Sequence, residues 1–342
     1  MKNRSVLVAI CIALLAVSCS KAPSEGYTLW KLYPAQKNGK AVYIDRTGKI
    51  VLETEFCVAG EFSEGLAWAW ATHLKVGYID RTGKIVIAPQ FHSADNFSEG
   101  LAHVWLDDKI GYIDHTGKVV IKPQFWFADR FSEGLAMTQV TRDGPVRYID
   151  ISGQYAFDQE FESARAFSEG LAAVRKEGEK WGYIDHTGEM VIKPQFDRAH
   201  SFSEGLACVW VDENKDSAGF IDKTGRFVIN PRFVVPPDSN FSEGLVAAAG
   251  EYKSWPGIGY IDRNGNMVIE PRFQEACEFS EGMAAVLVNG KYGYIDRTGT
   301  LVIKPQFERA LKFSGGLACV VSIDEKTGYI DKTGKYVWEP TE

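Results

Sequence analysis

The sequence predicts an all-β protein, a tandem array of nine three-stranded repeats of about 35 residues. A Tyr-Ile-Asp-x-Thr-Gly block recurs nine times, with its aspartate at Asp45, Asp80, Asp114, Asp150, Asp185, Asp222, Asp262, Asp296 and Asp331. A second block, Phe-Ser-Glu-Gly-Leu-Ala, starts at Phe62, Phe97, Phe131, Phe167, Phe202, Phe241 and, with Met283 for leucine, Phe279, and a weakened copy starts at Phe313. No segment sustains a helical period of apolar residues.

Each unit reads as three short strands. The first is the Gly-Leu-Ala-x-Val run, as in Gly170 to Val174; the second ends in Gly-Tyr-Ile-Asp, as in Gly182 to Asp185; the third is Val-Ile-x-Pro, as in Val191 to Pro194. β-Branched and aromatic residues in such short runs suit strands. Between the second and third strands, Asp-x-Thr-Gly-Lys has the chemistry of a hairpin turn. The aspartate accepts from amides just ahead of it, and the glycine, such as Gly48 or Gly188, takes the positive φ that closes the turn. Proline at the end of the third strand, such as Pro89 or Pro305, cannot donate to a ladder, so that strand ends there or lies at an edge.

Two arrangements satisfy this pattern. The unit length holds three strands more easily than the four of a typical propeller blade, and nine exceeds the usual blade number, which favours an open superhelical stack. A closed, propeller-like ring is the alternative, because closure removes exposed sheet edges.

Together these blocks resemble the WG-repeat (KWG-type) proteins, whose unit runs approximately Trp-Gly-Tyr-Ile-Asp-Lys-Thr-Gly, then Val-Ile-x-Pro-x-Phe, then Phe-Ser-Glu-Gly-Leu-Ala. In this chain the tryptophan survives only as Trp181, and Val42 and Arg147 replace the glycine in two units. The resemblance implies a structural and interaction repeat without a common catalytic activity.

The amino terminus carries an address. Lys2 and Arg4 precede an apolar run from Val6 to Val17, too short to span a bilayer comfortably, and Ser18 precedes Cys19. Leu15 to Cys19 resembles the lipobox of bacterial lipoproteins, which implies cleavage after residue 18 and a lipid on Cys19. The expected division is a signal peptide over 1–18, a tether over 19–30 and the repeat array over 31–342. Ser20, where aspartate would retain a lipoprotein at the inner membrane, leads us to expect a lipid-anchored outer-membrane location in the cell envelope.

A formal net charge of −7 disfavours nucleic acid, which needs a basic patch. The cysteines past Cys19, namely Cys57, Cys208, Cys277 and Cys319, show no stapling framework and read as small buried apolar residues. Cofactors and metals are not expected: the turn aspartates have a complete conformational explanation, and Asp212 to Asp216 lacks the glycine and bidentate glutamate of a calcium loop. The basic column Arg46, Arg81, His115, His186, Lys223, Arg263, Arg297 and Lys332 and the glutamate column from Glu64 to Glu281 read as a turn face with ion pairs between repeats. An anion-binding stripe is the sharper alternative.

No nucleophile elbow or zinc motif occurs, so the expectation is a protein without catalysis that binds an envelope protein or glycan. A cell-envelope hydrolase acting on glycan or peptide through scattered carboxylates is the rival reading. The candidate ligand-binding residues are Trp70, Trp105 and Trp210, which share one register at the end of the first strand, and Trp255. Trp255 lies in one of three departures from the repeat, at Asp212 to Ser217, Val234 to Asn240 and Glu251 to Ile258, where a partner is expected to bind.

Overall fold

The computed structural model describes residues 31–71, 75–212, 217–237, 239–250 and 257–341, and among them every regular element is a β-strand. Each unit is a small antiparallel sheet. The third unit, counting by aspartates, shows the pattern: a two-residue strand Ser93–Ala94, a first strand Ala102–Leu106, a second Lys109–Ile113 and an outer third strand Val119–Phe125, paired in that order.

The two-residue strand was not expected. It recurs as Val58–Ala59, Phe127–Ala128, Ser163–Ala164, Arg198–Ala199, Glu275–Ala276 and Arg309–Ala310, each starting two residues after the repeat phenylalanine that ends the preceding unit. In the seventh unit the outer strand of the sixth, Phe227–Val234, runs on into that place, and Val234 pairs with Ala249.

The outer strand does not stop at its proline. In the third unit Tyr112 faces Ile121 and Ile110 faces Phe125, so Pro123 sits in an irregularity that leaves the strand at the sheet edge, where a missing N–H costs nothing. That irregularity pushes backbone against the second strand: a Cβ on Gly111 would lie 2.6 Å from the Ile121 carbonyl oxygen and 2.7 Å from the Pro123 nitrogen. The repeat glycine is thus tied to the repeat proline. Val42 and Arg147 replace it where the tie is absent: the outer strand of the first unit, Ile50–Glu53, has no proline, and the fourth unit has only isolated bridges, Val146 to Phe161 and Ile149 to Tyr155, in place of an outer strand.

Side chains on facing sheets set the curvature. The short and first strands present small residues such as Ala128 and Ala136, while the second and third present Tyr112, Ile121 and Phe125, all in one core between units three and four. Each unit is therefore a wedge, narrow at the short strand. Stacked wedges curve, and here the curve closes. Tyr33, Ala35, Val42 and Ile44 of the first unit share a core with Leu317, Cys319 and Tyr329 of the ninth. The Tyr33 hydroxyl donates to the carbonyls of Ser314 (2.9 Å) or Gly315 (2.7 Å), and the Tyr329 hydroxyl donates to that of Pro34 (2.7 Å).

The all-β array of nine units stands as read, while the preference between its two arrangements is reversed. It is the propeller-like ring: the first and ninth units close on one another, and in most units the short strand supplies the fourth strand that the open stack was preferred for lacking.

Candidate functional site

Antiparallel order sorts the connections onto two faces. The Ser-Glu-Gly turns, between short and first strands, and the Asp-x-Thr-Gly turns, between second and third, lie at the same end, the turn face. The hairpins between first and second strands, and the links from each outer strand to the next short strand, lie at the opposite end, the hairpin face.

On the turn face the fold itself uses the polar groups. Asp45 Oδ1 accepts from the Thr47 amide (2.8 Å), the Thr47 hydroxyl (2.6 Å) and the Lys49 amide (3.1 Å), while the Gly48 amide donates to the Asp45 carbonyl (3.0 Å). The Thr47 hydroxyl is the main reason that the Asp45 carboxyl titrates below its usual range.

The glutamates of Ser-Glu-Gly sit at positive φ, from 50° at Glu64 to 59° at Glu169, a conformation that disfavours L-residues. Their carboxylates explain the choice, because each reaches the next unit: Glu99 accepts from the amides of Glu133 (2.7 Å) and Gly134 (2.8 Å). Alongside, the Ser98 hydroxyl donates to the Phe131 carbonyl (2.9 Å).

The basic column closes over these glutamates. His115 lies 3.1 Å from Glu64, His186 3.4 Å from Glu133, Lys223 3.5 Å from Glu169 and Lys332 3.4 Å from Glu281. Arg263 and Arg297 donate to the carbonyls of Glu204 (2.6 Å) and Glu243 (2.7 Å). The inter-repeat ion pairs read from the sequence are present, and at these positions the basic groups are engaged by the protein itself.

The weakened copy at Phe313 marks the seam of the ring. Gly315 stands where other units have glutamate, and a Cβ there would lie 2.5 Å from the Tyr33 hydroxyl. Ser314 Oγ accepts from Lys31 Nζ at 2.6 Å.

Of the candidate tryptophans, Trp70, Trp105 and Trp210 each pair across to the residue that opens, or nearly opens, the second strand, Val76, Ile110 and Ala218, at the hairpin face. They belong to the second, third and sixth units and do not form one cluster. Trp210 is 6% exposed, packed in the core between units six and seven with His200 5.0 Å away, so it is a packing residue; Trp70 and Trp105 are half-buried. Trp255 lies outside the described residues, as do residues 213–216 and 238 of the other two departures. The strands that flank residues 213–216 and 251–256 end at the hairpin face, whereas the departure at Val234 to Asn240 lies between the short-strand place held by Val234 and the Ser-Glu-Gly turn, on the way to the turn face.

Sequence reasoning missed Trp126 and Phe127, each 40% exposed at the hairpin face. Trp126 meets Trp105 edge to face at 6.4 Å, and the Arg142 guanidinium lies 5.9 Å from the Trp126 ring centre. Alignment of the units on the phenylalanine before the short strand would have found them, since the same two places hold His92 and Ser93, Asp197 and Arg198, Gln274 and Glu275, and Glu308 and Arg309.

One charged cluster ties units three and four together: Arg130 Nε donates to Asp95 Oδ2 at 2.8 Å, and His103 Nε2 is 3.7 Å from the same oxygen. Burial opposes the Asp95 charge, but the Arg130 hydrogen bond, the attraction of His103 and Arg130 and the Asn96 amide together outweigh it, and Asp95 titrates low; burial also holds His103 below the ordinary histidine range. The four described cysteines are free thiols; Cys208 and Cys319 are buried, and burial pushes Cys319 up to about 12, whereas Cys57 and Cys277 are half-buried rather than fully inside as expected. Among the described residues no group of His, Cys, Asp and Glu is placed to hold a metal ion.

The repeat geometry matches one sequence family. The WG containing repeat covers residues 43–69, 77–109, 110–141, 147–179, 181–214, 219–249, 258–292 and 292–326, and the chain belongs to that family. No curated protein matches it. Among solved structures, a eukaryotic initiation factor superposes with a TM-score of 0.62 at 14% identity, covering 90% of this chain and 94% of its own. That likeness is one of fold alone. The computationally designed Ika8 protein (TM-score 0.49, 12% identity, 88% of this chain and 99% of its own) and BamB from Moraxella catarrhalis (0.39, 10%, 78% and 94%) are more distant in shape.

Proposed function

We propose that this WG-repeat ring is a lipid-tethered binding module of the cell envelope that takes its partner on the hairpin face and performs no catalysis. The observation that carries the reading is the contrast between the two faces. Turn-face carboxylates, hydroxyls and cations are engaged by neighbouring amides, carbonyls and side chains, unit after unit. The hairpin face receives two of the three departures from the repeat and carries the exposed side chains of Trp126 and Phe127, which the fold does not require. Exposed aromatics on a rigid frame are the residues that dominate binding energy at interfaces.

The lipobox at Cys19 supports the tether. The chain enters the ring at Lys31, on the turn face, and twelve tether residues reach at most about 40 Å. In this reading the hairpin face is turned away from the membrane.

The test is capture from an envelope extract with the mature chain as bait, run beside turnover assays on glycan and peptide substrates. Specific capture without turnover is expected. Turnover abolished by a single carboxylate substitution would establish the hydrolase instead.

A further inference from the structure

We propose that Trp126 and Arg142, backed by Trp105, form a binding site for a carboxylate-bearing saccharide. This rests on the hairpin-face reading above and names the ligand chemistry for it.

Three observations lead there. Trp126 stands exposed on the link into the short strand of the fourth unit, and Trp105 supports it from beneath, edge to face. Flat apolar surfaces of this kind accept the C–H faces of sugar rings, which carry little other apolar area.

The main chain beside them offers little. The Trp126 amide donates to the Gln139 carbonyl at 2.8 Å, and the short strand Phe127–Ala128, paired on one side, leaves an open edge only two residues long. So short an edge gives an extended peptide almost no ladder, so recognition passes through side chains, which favours a saccharide over strand addition.

Arg142 supplies the charge. Its guanidinium rests near the Trp126 ring, and among the described residues no carboxylate pairs with it, in a protein whose net charge is −7. The loop that carries it is fixed: the Gly144 amide donates to the Thr141 carbonyl (3.2 Å), Gln139 Nε2 to the Gly144 carbonyl (2.8 Å), and Lys109 Nζ to the Val140 carbonyl (3.1 Å). A guanidinium held over an apolar platform matches a ligand with a planar carboxylate beside a hydrocarbon face, as in a uronic acid. Val140, 44% exposed, extends the apolar margin.

The experiment is calorimetric titration of the mature chain with uronic-acid oligosaccharides, with the same oligosaccharides after carboxyl reduction, and with oligoglutamate peptides. The wild type should bind the uronates and prefer them over the reduced forms. Arg142→Gln should weaken uronate binding roughly tenfold or more and erase that preference, and Trp126→Ala should remove binding of both sugars, with circular dichroism unchanged in each. Absence of uronate binding, equal affinity for acid and reduced forms, or uronate binding unaffected by both substitutions overturns the proposal. Arg142-dependent binding of oligoglutamate alone overturns it in favour of an acidic protein. Envelope capture that survives both substitutions removes this site and leaves the binding module standing; absence of any capture removes the module itself.

Discussion

Replacement of Gly188 by alanine separates two costs that the structure assigns to one turn. Gly188 has φ of 82°, so an L-residue must hold a left-handed conformation, which costs about 1 to 2 kcal/mol. The new Cβ would also lie 2.7 Å from the Phe157 ring and 3.1 Å from Gln159 Oε1, an overpacking cost of about 1 to 3 kcal/mol. The expected loss is therefore roughly 2 to 5 kcal/mol. Gly170 isolates the first cost, because its φ is 90° and nothing lies within 4 Å of its Cβ position, so Gly170→Ala should lose only about 1 to 2 kcal/mol. Glu189 is exposed and serves the turn through its backbone amide, which donates to Asp185, so Glu189→Ala should change stability by less than about 0.5 kcal/mol. Denaturant midpoints of the three variants should fall in the order Glu189→Ala, Gly170→Ala, Gly188→Ala. Equal midpoints for the Gly188 and Glu189 variants would refute the turn assignment, and equal midpoints for the two glycine variants would refute the contact with Phe157.

The turn aspartates give a pH dependence of known sign. Their folded-state pKa values lie below the ordinary 3.8, through the Thr or Ser hydroxyl at most positions and, at Asp262 and Asp331, through hydrogen bonds that outweigh burial. Their contribution is complete above the unfolded value and is lost as pH falls through the folded one, so the melting temperature should drop below about pH 4; a melting temperature that holds level from pH 5 to the bottom of that range contradicts the turn chemistry. At the seam, Gly315→Glu restores the residue found in other units, yet its Cβ meets Tyr33, so it should destabilise by about 1 to 3 kcal/mol in denaturant melts; a stabilised variant would argue against closure through Tyr33. Mass spectrometry of the mature amino terminus should find diacylglyceryl on Cys19, and Cys19→Ser should leave an uncleaved or soluble form; an unmodified terminus elsewhere would end the tether reading.

Features written in local chemistry were legible. Asp45, Thr47 and Gly48 make one another's hydrogen bonds within five residues, so sequence spacing was sufficient to place the turn. The short strands were not legible, since two residues such as Arg198 and Ala199 are fewer than a strand needs to show alternation. Closure was hidden for a different reason: Tyr33 and Ser314 stand far apart in sequence, and their contact follows from the accumulated wedge of nine units. The glycine and proline tie was available in the sequence, because the units with Val42 and Arg147 are ones whose outer segment lacks the proline. At the candidate site, one register placed Trp70, Trp105 and Trp210 correctly on a face but could not tell buried Trp210 from half-buried Trp105, a difference set by the neighbouring unit. Trp126 escaped because it falls between the two recurring blocks.

The central claim is that one face of the ring binds while the other holds the ring together, and cross-linking mass spectrometry on the captured complex tests it most directly. Lysines mark both faces: Lys109, Lys176, Lys180, Lys291 and Lys326 at the hairpins, and Lys49, Lys84, Lys118, Lys223 and Lys335 at the turns. Cross-links to the partner should fall on the hairpin group and leave the turn group unlinked. Partner cross-links concentrated on the turn lysines would contradict the account.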